Sequence, residues 1–389
     1  MLLCLLLSCC WSGPAAWAQA ASVEVAFFSE KLTVEYDPAF VNTRAGAVGE
    51  LPPYLMARYR EYDRRNYSVL FNSLQAHRQA LDLNDWLYFD LMQRAVAAAY
   101  PSASEIDRRA AVWFLLCRSG FDARLTYEGR RVWINAYTDE ALFEVGIIEE
   151  GPKKLVNLSS LLRDDDGGEL LYILNFIPNP AGRSFSFDLP RLPRLEPRYS
   201  ERTYRFGTAA GRHQLAVRTD QTVVDLMRRY PFLDEEKYLE IPLSPALFGS
   251  LVPKLRAKME GLSERERVEL LAAFTRMSFS YKTDEEYFGR SRPMIADEVL
   301  SYPYSDCEDR SALFYALAKE LIGAPMVVLA YPDHVTVGVA TEAVLGDAVV
   351  IDGRSFYICD PTGPSNSDEV GRFPKGYANR DFEVLSSYK

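Results

Sequence analysis

The chain has 389 residues and a formal net charge of −10, and 48% of its residues are apolar. This length allows two domains, and the composition is that of a globular protein with a substantial core. The acidic balance argues against a nucleic-acid partner, because binding phosphates requires a basic surface.

The first twenty residues have the features of a secretory signal. An apolar run over residues 1–7 is followed by small residues, with A-x-A patterns ending at Ala18 and Ala20. We predict that residues 1–20 are removed and that the protein is exported, to the periplasm, the cell surface or the medium. A less favoured alternative is a lipoprotein attached through Cys9. No later stretch is long and apolar enough for a membrane helix, so we expect no integral membrane segment after signal removal.

The next part of the chain alternates between strand and helix patterns. Residues 23–36 predict one or two strands, and residues 54–117 are largely helical. Alternating apolar residues indicate strands over 122–156, and an acidic turn follows at 164–168.

A Pro-rich stretch from Pro178 to Pro197 predicts a domain boundary. We therefore assign residues 21–197 to an N-terminal α+β domain and residues 198–389 to a second α+β domain.

In the second domain, residues 204–217 predict a strand, and Ser263 with Glu266 forms a capping box that opens a helix. Residues 281–289 and 302–304 look like loops. A helix then begins near Cys307 and ends before Gly323.

Strands are predicted over residues 326–330, 334–339 and 355–359.

Three cysteines remain once the signal is removed, namely Cys117, Cys307 and Cys359, so at least one thiol is free. Cys307 lies in the first turn of its helix, capped by either Ser305 or Asp306. Unpaired amides and the helix dipole favour a thiolate there, which is the nucleophile of cysteine enzymes. The neighbouring acids oppose the thiolate, so an imidazole partner is needed.

His334 is the candidate base, because it opens a strand after a tight turn and follows the Cys307 helix. His77 and His213 lie in polar stretches typical of the surface. A third group should orient the imidazole, and either Asp352 or Asp360 could do so. In a plain meander Asp352 would be nearer, whereas Asp360 requires its strand to run antiparallel beside that of His334.

Three segments together resemble the transglutaminase-like superfamily: residues 306–314 (DCEDRSALF), 331–335 (YPDHV) and 359–362 (CDPT). Residues 281–289 (YKTDEEYFG) are also similar to exported transglutaminase-like proteins of Bacteroidetes. The resemblance implies a papain-like core over about residues 200–385, in which a cysteine-bearing helix packs on an antiparallel sheet. It also implies a triad of Cys307, His334 and Asp360.

One segment of the N-terminal half is similar in sequence to a segment of the second half. Residues 107–116 followed by Gly120 are similar to residues 309–317 followed by Gly323, which places Ile106 near the cysteine position. Either the N-terminal domain is a degenerate transglutaminase-like copy, or two amphipathic helices are similar by chance.

The function predicted from these features is an exported thiol enzyme that cleaves amide or peptide bonds through a thioester. Its partner is a protein or peptide substrate, and we expect no cofactor and no metal. One alternative is a protein-glutamine amine acyltransferase that cross-links proteins, and another is a non-catalytic binding or scaffold module that keeps the fold. The second oxyanion donor is not assigned, with Tyr281 and Tyr304 as candidates.

Overall fold

A computed structural model describes residues 20–41, 49–142, 145–161, 171–363 and 369–388. Cys9 and all but the last residue of the predicted signal, residues 1–20, fall on residues 1–19, and the acidic turn falls on residues 162–170, so these predictions lie outside the described residues. Within the described residues, no helix is both long and apolar enough to cross a bilayer.

The first half of the described chain is a β-hairpin, four long helices and a five-stranded sheet. In chain order its elements are β1 (Ala21–Phe27), β2 (Glu30–Tyr36), α1 (Leu51–Asp63), α2 (Ser68–Leu81), α3 (Asp85–Ala99), α4 (Glu105–Arg118), β3 (Ala123–Glu128), β4 (Arg131–Thr138), β5 (Ile147–Glu150), β6 (Lys153–Asn157), α5 (Leu158–Leu161) and β7 (Tyr172–Ile173).

The second half is a long hairpin, several helices and a second five-stranded sheet. Its elements are β8 (Tyr199–Thr208), β9 (Gly211–Asp220), α6 (Gln221–Met227), α7 (Glu235–Glu240), α8 (Pro245–Met259), α9 (Glu264–Met277), β10 (Ser280–Tyr281), α10 (Asp284–Phe288), α11 (Ala296–Val299), β11 (Tyr304–Ser305), α12 (Cys307–Leu321), β12 (Met326–Tyr331), β13 (His334–Val339), β14 (Ala348–Ile351), β15 (Arg354–Cys359) and β16 (Glu383–Tyr388). The predicted α+β class is confirmed.

The two five-stranded sheets have the same topology. The strand orders are β5-β6-β4-β3-β7 and β14-β15-β13-β12-β16, and every pairing is antiparallel. In each half a helix, α4 or α12, precedes a central hairpin. A second hairpin adds two strands on one side, and a later strand adds to the other. The two halves therefore share one arrangement of helix and strands.

The shared topology also identifies the residues that stand where the second half has Cys307 and His334. Helix α4 has Ser104 as its N-cap and Glu105 as its first residue, and α12 has Asp306 and Cys307 in those places. The cysteine position is therefore occupied by Glu105, one residue before the Ile106 that the sequence comparison suggests. Strand β4 begins with Arg131, where β13 begins with His334. At these two positions the first half has neither a thiol nor an imidazole.

The hydrophobic cores do not divide at the predicted boundary near residue 198. Residues beyond it, including Val223, Leu226 and Tyr230, pack into the core formed by the first half. Helix α7 contributes Tyr238 to that core and Leu239 to the core under the second sheet. The segment with α6 and α7 therefore joins the two halves.

Two regions expected to be loops contain short elements instead. Thr283 and Glu286 form a capping box that opens helix α10, and β10 pairs in parallel with β11. The spacing of Thr283 and Glu286 fits a capping box. This polar stretch, however, lacks the periodic apolar residues from which a helix is predicted. The strand expected over residues 204–217 is a hairpin of β8 and β9, with a two-residue turn at residues 209–210.

Candidate active site

Cys307 is the first residue of helix α12, and Asp306 is its N-cap. The Asp306 carboxylate accepts from the Asp309 amide, and the Asp309 carboxylate accepts from the Asp306 amide, which completes a capping box. Farther along the helix, Leu313 and Leu317 are fully buried in the core under the second sheet. The capped end and the packed face together fix the position of the Cys307 sulfur.

His334 begins strand β13 after the turn at residues 332–333, and its ring is buried. The next residue, Val335, links this strand to the cysteine helix twice. Its carbonyl accepts from the Ser311 hydroxyl at 3.2 Å, and its amide donates towards the Cys307 sulfur. The sulfur therefore lies against the backbone next to His334.

Asp360 follows strand β15, which runs antiparallel to β13 with Cys359 opposite Val337. This is the arrangement that a role for Asp360 requires. The His334 Nε2 atom lies 3.4 Å from Asp360 Oδ1, and both side chains are almost completely shielded from solvent. Asp352 lies at the other end of β15, exposed in the β14–β15 turn with φ = 51°. The structure brings Cys307, His334 and Asp360 together and leaves Asp352 away from them.

Arg310 is a buried arginine whose role the sequence did not reveal. It links helix α12 to the end of α9 and to the loop that follows β15. Arg310 donates from Nε to the Ser305 hydroxyl at 3.0 Å and from Nη2 to the Phe279 carbonyl at 3.0 Å. Its Nη1 donates to the carbonyls of Arg276 and Thr362. In the sequence, the only sign of this linking role was the DCEDR segment, residues 306–310, which has an arginine about one helical turn after the cysteine.

The loop that carries Asp360 is fixed by its own hydrogen bonds. The Thr362 amide donates to Asp360 Oδ1 at 3.0 Å, and Arg276 Nε donates to the Asp360 carbonyl at 2.7 Å. Since Arg310 also binds the Thr362 carbonyl, the cysteine helix and the Asp360 loop are coupled through one guanidinium.

Tyrosines line the site. The ring of Tyr377 lies 5.0 Å from the His334 ring, and its hydroxyl donates to Asp333 at 3.1 Å. No sequence pattern marked Tyr377, because it lies in an irregular segment far along the chain. Burial, then the charge of Cys307, raises the pKa of Tyr281, a candidate oxyanion donor whose ring lies 5.5 Å from the Arg310 guanidinium. Tyr304 instead packs its ring against Tyr287 and the Lys282 ammonium.

Three carboxyl groups cluster beside the cysteine. Oxygens of Asp284, Asp306 and Glu308 lie within 4.8 Å of one another, so these groups could hold a cation. Burial and the charge on Asp306 raise the pKa of Asp284 to about 7 and the pKa of Glu308 to about 8. The sequence showed that Asp306 and Glu308 lie next to Cys307. It did not show that Asp284, the first residue of α10, lies beside them in the fold.

The thiol of Cys307 is protonated at neutral pH in this environment. Burial, then the charge on Asp306, raises its pKa to about 12, although the Val335 amide acts in the opposite direction. The expectation that the helix terminus favours a thiolate therefore does not hold here, because desolvation and the flanking carboxylates outweigh the dipole. Deprotonation of Cys307 requires a base.

The other cysteines and histidines lie elsewhere. Cys117 and Cys359 are buried, and burial raises the pKa of each thiol to about 12. His77 contacts the Thr33 carbonyl at 2.9 Å, and His213 contacts the Thr208 hydroxyl at 2.9 Å.

Comparison of the chain with protein-family models, curated proteins and solved structures finds no match in any of the three. The transglutaminase-like resemblance accordingly rests on the sequence motifs alone.

Proposed function

We propose that the second half of this chain is a papain-like thiol amidase of the transglutaminase-like type, and that the first half is its degenerate copy. The observation that carries the proposal is the buried contact between His334 and Asp360 beside the Cys307 sulfur at a helix N-terminus. Glu105 and Arg131 stand at the corresponding positions of the first half, so thiol chemistry belongs to the second half.

The contact between His334 and Asp360 selects the useful tautomer of the imidazole. A carboxylate accepts hydrogen bonds, so Asp360 favours the proton on the Nε2 atom that faces it. The neutral ring then keeps a lone pair on Nδ1, which is available to accept the thiol proton. Because the Cys307 thiol is protonated at rest, this transfer accompanies the attack on the substrate.

The first half-reaction forms a thioester. The Cys307 sulfur attacks the amide carbonyl carbon as its proton passes to His334, and the carbonyl oxygen becomes an oxyanion. The C–N bond then breaks, and the imidazolium gives its proton to the leaving nitrogen. The Cys307 amide is at the first helical position, where an amide has no acceptor within its own helix, so it can donate to the oxyanion, and the Tyr281 hydroxyl is the candidate second donor.

The second half-reaction releases the acyl group. His334 takes a proton from water as the water oxygen attacks the thioester carbonyl, the C–S bond breaks, and the imidazolium gives that proton to the departing Cys307 sulfur. The products are a carboxylic acid and the restored thiol. We favour hydrolysis of a protein or peptide substrate because an exported protein is surrounded by water. The exported location itself stays a prediction from residues 1–20.

A thiol probe tests the catalytic pair. We expect iodoacetamide-alkyne at pH 7.5 to label Cys307 in the wild type, and His334→Ala to slow this labelling at least tenfold, because the base is lost. Cys307→Ala abolishes labelling. His77→Ala is the matched control and should leave the rate unchanged. Equal labelling rates in wild type and His334→Ala would support the non-catalytic scaffold instead.

A peptide library then tests the reaction. Wild-type protein should generate new carboxyl termini, seen by mass spectrometry, that are missing with Cys307→Ala. In the presence of an added primary amine the products should remain carboxylic acids. Isopeptide products without hydrolysis would establish the acyltransferase alternative.

A further inference from the structure

The side chain of Asp360 makes its contacts through only one of its two oxygens. Oδ1 accepts from the Thr362 amide at 3.0 Å and lies 3.4 Å from Nε2 of His334. Oδ2 is shielded from water and has no hydrogen-bond partner among the described residues. Because Asp360 is fully buried and bulk water cannot reach it, its second oxygen needs a donor from the protein close by.

The strand register places Thr336 opposite Asp360. Val337 pairs with Cys359 where β13 runs antiparallel to β15. One step further along both strands, Thr336 and Asp360 face each other. Side chains alternate between the faces of a sheet, so Thr336 shares its face with His334, which contacts Asp360. Opposite side chains on one face have Cβ atoms about 4.5–5.5 Å apart, a separation that a hydroxyl and a carboxylate can bridge.

The Thr336 hydroxyl is as poorly satisfied as the carboxylate oxygen. Thr336 is fully buried, and its Oγ1 has no hydrogen-bond partner within the part of the chain that the structure describes. Its other neighbours on this face are Leu329, which pairs with it on β12, and Ile358, and neither side chain offers an acceptor. A hydroxyl that lacks an acceptor therefore lies opposite a carboxylate oxygen that lacks a donor.

Two other shielded hydroxyls near Asp360 have no partner in the described ranges, those of Tyr331 and Thr362. Thr362 is already bound to Oδ1 through its amide. Tyr331 lies on β12, with β13 between its strand and that of Asp360, and its ring packs 5.0 Å from the ring of Tyr377. Of the three hydroxyls, that of Thr336 is the one directly opposite the carboxylate.

The first half of the chain provides an internal comparison. Trp133 is the third residue of β4, as Thr336 is of β13, so an indole stands there in place of the hydroxyl. The same strand begins with Arg131, where β13 begins with His334. The hydroxyl is therefore found in the half that also has the imidazole, which agrees with a role beside it.

Building on the proposed amidase function, we infer that Thr336 is a positioning residue whose hydroxyl donates to Oδ2 of Asp360. A change of staggered position about its Cα–Cβ bond turns the hydroxyl towards that oxygen. With Oδ2 held, Oδ1 stays directed at Nε2 of His334, and the imidazole keeps the tautomer that accepts the thiol proton. Thr336 acts through Asp360 and makes no contact with substrate, because it is fully buried.

Kinetics on a peptide p-nitroanilide test this inference. We expect Thr336→Val, which keeps the shape of the side chain, to lower kcat about tenfold with KM within twofold of wild type, as loss of a hydrogen bond to a charged group allows. Thr336→Ser restores the hydroxyl and should return kcat to within threefold of wild type. Thr126→Val is the matched control. It removes a fully buried strand hydroxyl in the first half and should leave kcat unchanged.

A double-mutant cycle separates positioning from a general structural effect. Thr336→Val alone should slow the labelling of Cys307 by iodoacetamide-alkyne several-fold. In an Asp360→Ala background the same change should alter the labelling rate less than twofold, because its acceptor is already gone. An equal several-fold loss in both backgrounds would show that Thr336 does not act through Asp360.

The ring signals of His334 report on the hydrogen bond to Asp360 itself. The chain has three histidines, so a spectrum of protein labelled with ¹⁵N-histidine is simple, and His334→Ala assigns the signal. We expect the Nε2 proton of His334 to exchange with solvent at least fivefold faster in Thr336→Val than in wild type. Thr126→Val should not change this exchange rate.

Four outcomes decide the inference. Wild-type kcat, labelling and proton exchange in Thr336→Val would overturn it and leave the amidase proposal intact. Losses in Tyr331→Phe but not in Thr336→Val would overturn it in favour of the tyrosine hydroxyl. Absence of both turnover and His334-dependent labelling in the wild type would overturn the two proposals together. Where Thr336→Val does not fold, Thr336→Ala removes the hydroxyl without adding a methyl group and gives the same comparison.

Discussion

Replacing Glu308 with glutamine should stabilise the protein at high pH. Glu308 is mostly buried, and its charged neighbours Asp306, Glu235 and Asp284 share its sign. Its pKa is raised from the ordinary 4.5 to about 8, so the folded state holds a proton that the unfolded chain releases near pH 4.5. The folded state therefore loses stability as the pH rises from about 4.5 to about 8, and the loss is complete above pH 8.

The size of the effect follows from the two pKa values. At 1.36 kcal/mol for each tenfold change in proton affinity, the full difference is about 5 kcal/mol at pH 9. Solvent screening at the partly open side of Glu308 reduces this, and the glutamine amide gains few partners, so we expect about 2 kcal/mol. For a protein of this size that corresponds to a rise in Tm of about 2.5 °C.

Differential scanning calorimetry of wild type and Glu308→Gln at pH 4.5 and pH 9 measures this difference. The two proteins should melt within about 1 °C of each other at pH 4.5, and the variant should melt higher at pH 9. Glu236→Gln, which changes an exposed carboxylate, should match wild type at both values. A Glu308→Gln variant that melts no higher than wild type at pH 9 would refute the assignment of Glu308 as a carboxyl group kept neutral by burial.

Three further outcomes are expected. Asp360→Ala should lower kcat by about 10²- to 10⁴-fold with little change in KM, because no acceptor remains to hold the proton of His334 on Nε2; a kcat within threefold of wild type would remove Asp360 from the site. Arg310→Met should lower the free energy of unfolding by about 3 kcal/mol in urea titrations, since its buried acceptors lose their donor; an unchanged midpoint would contradict the coupling of α12 to the Asp360 loop. Cys117 and Cys359 should resist iodoacetamide at pH 8 until the protein unfolds, because both sulfurs are buried away from the reagent, whereas Cys307 is only partly buried; their labelling in folded protein, located by peptide mapping, would contradict the described packing.

Local signals in the sequence predicted the elements that carry the site. The Ser/Asp pair before Cys307 and the glycine at Gly323 bounded helix α12, and alternating valines predicted β13. These features depend on neighbouring residues, so short patterns reveal them. Residue patterns alone left Asp352 and Asp360 open, because the choice depends on long-range strand pairing; the transglutaminase-like resemblance implied Asp360, and the structure pairs β15 antiparallel with β13.

The remaining parts of the site come from segments distant in sequence. Asp284 reaches the cysteine through helix α10, and Tyr377 reaches His334 from an irregular segment. Neither position has a periodic or capping signal of its own. The raised pKa of the Cys307 thiol could not be predicted from the sequence either. Its largest cause is burial, which exists only in the folded structure.

The central claim is tested most directly by trapping an acyl group on Cys307. Wild-type protein is mixed with a peptide p-nitrophenyl ester, quenched in acid within milliseconds and digested for mass spectrometry. We predict that the acyl mass appears on the peptide containing Cys307, decays on the timescale of product release, and is absent from Cys307→Ala. Turnover of the ester by Cys307→Ala at the wild-type rate, with no adduct on Cys307 in the wild type, would contradict the account.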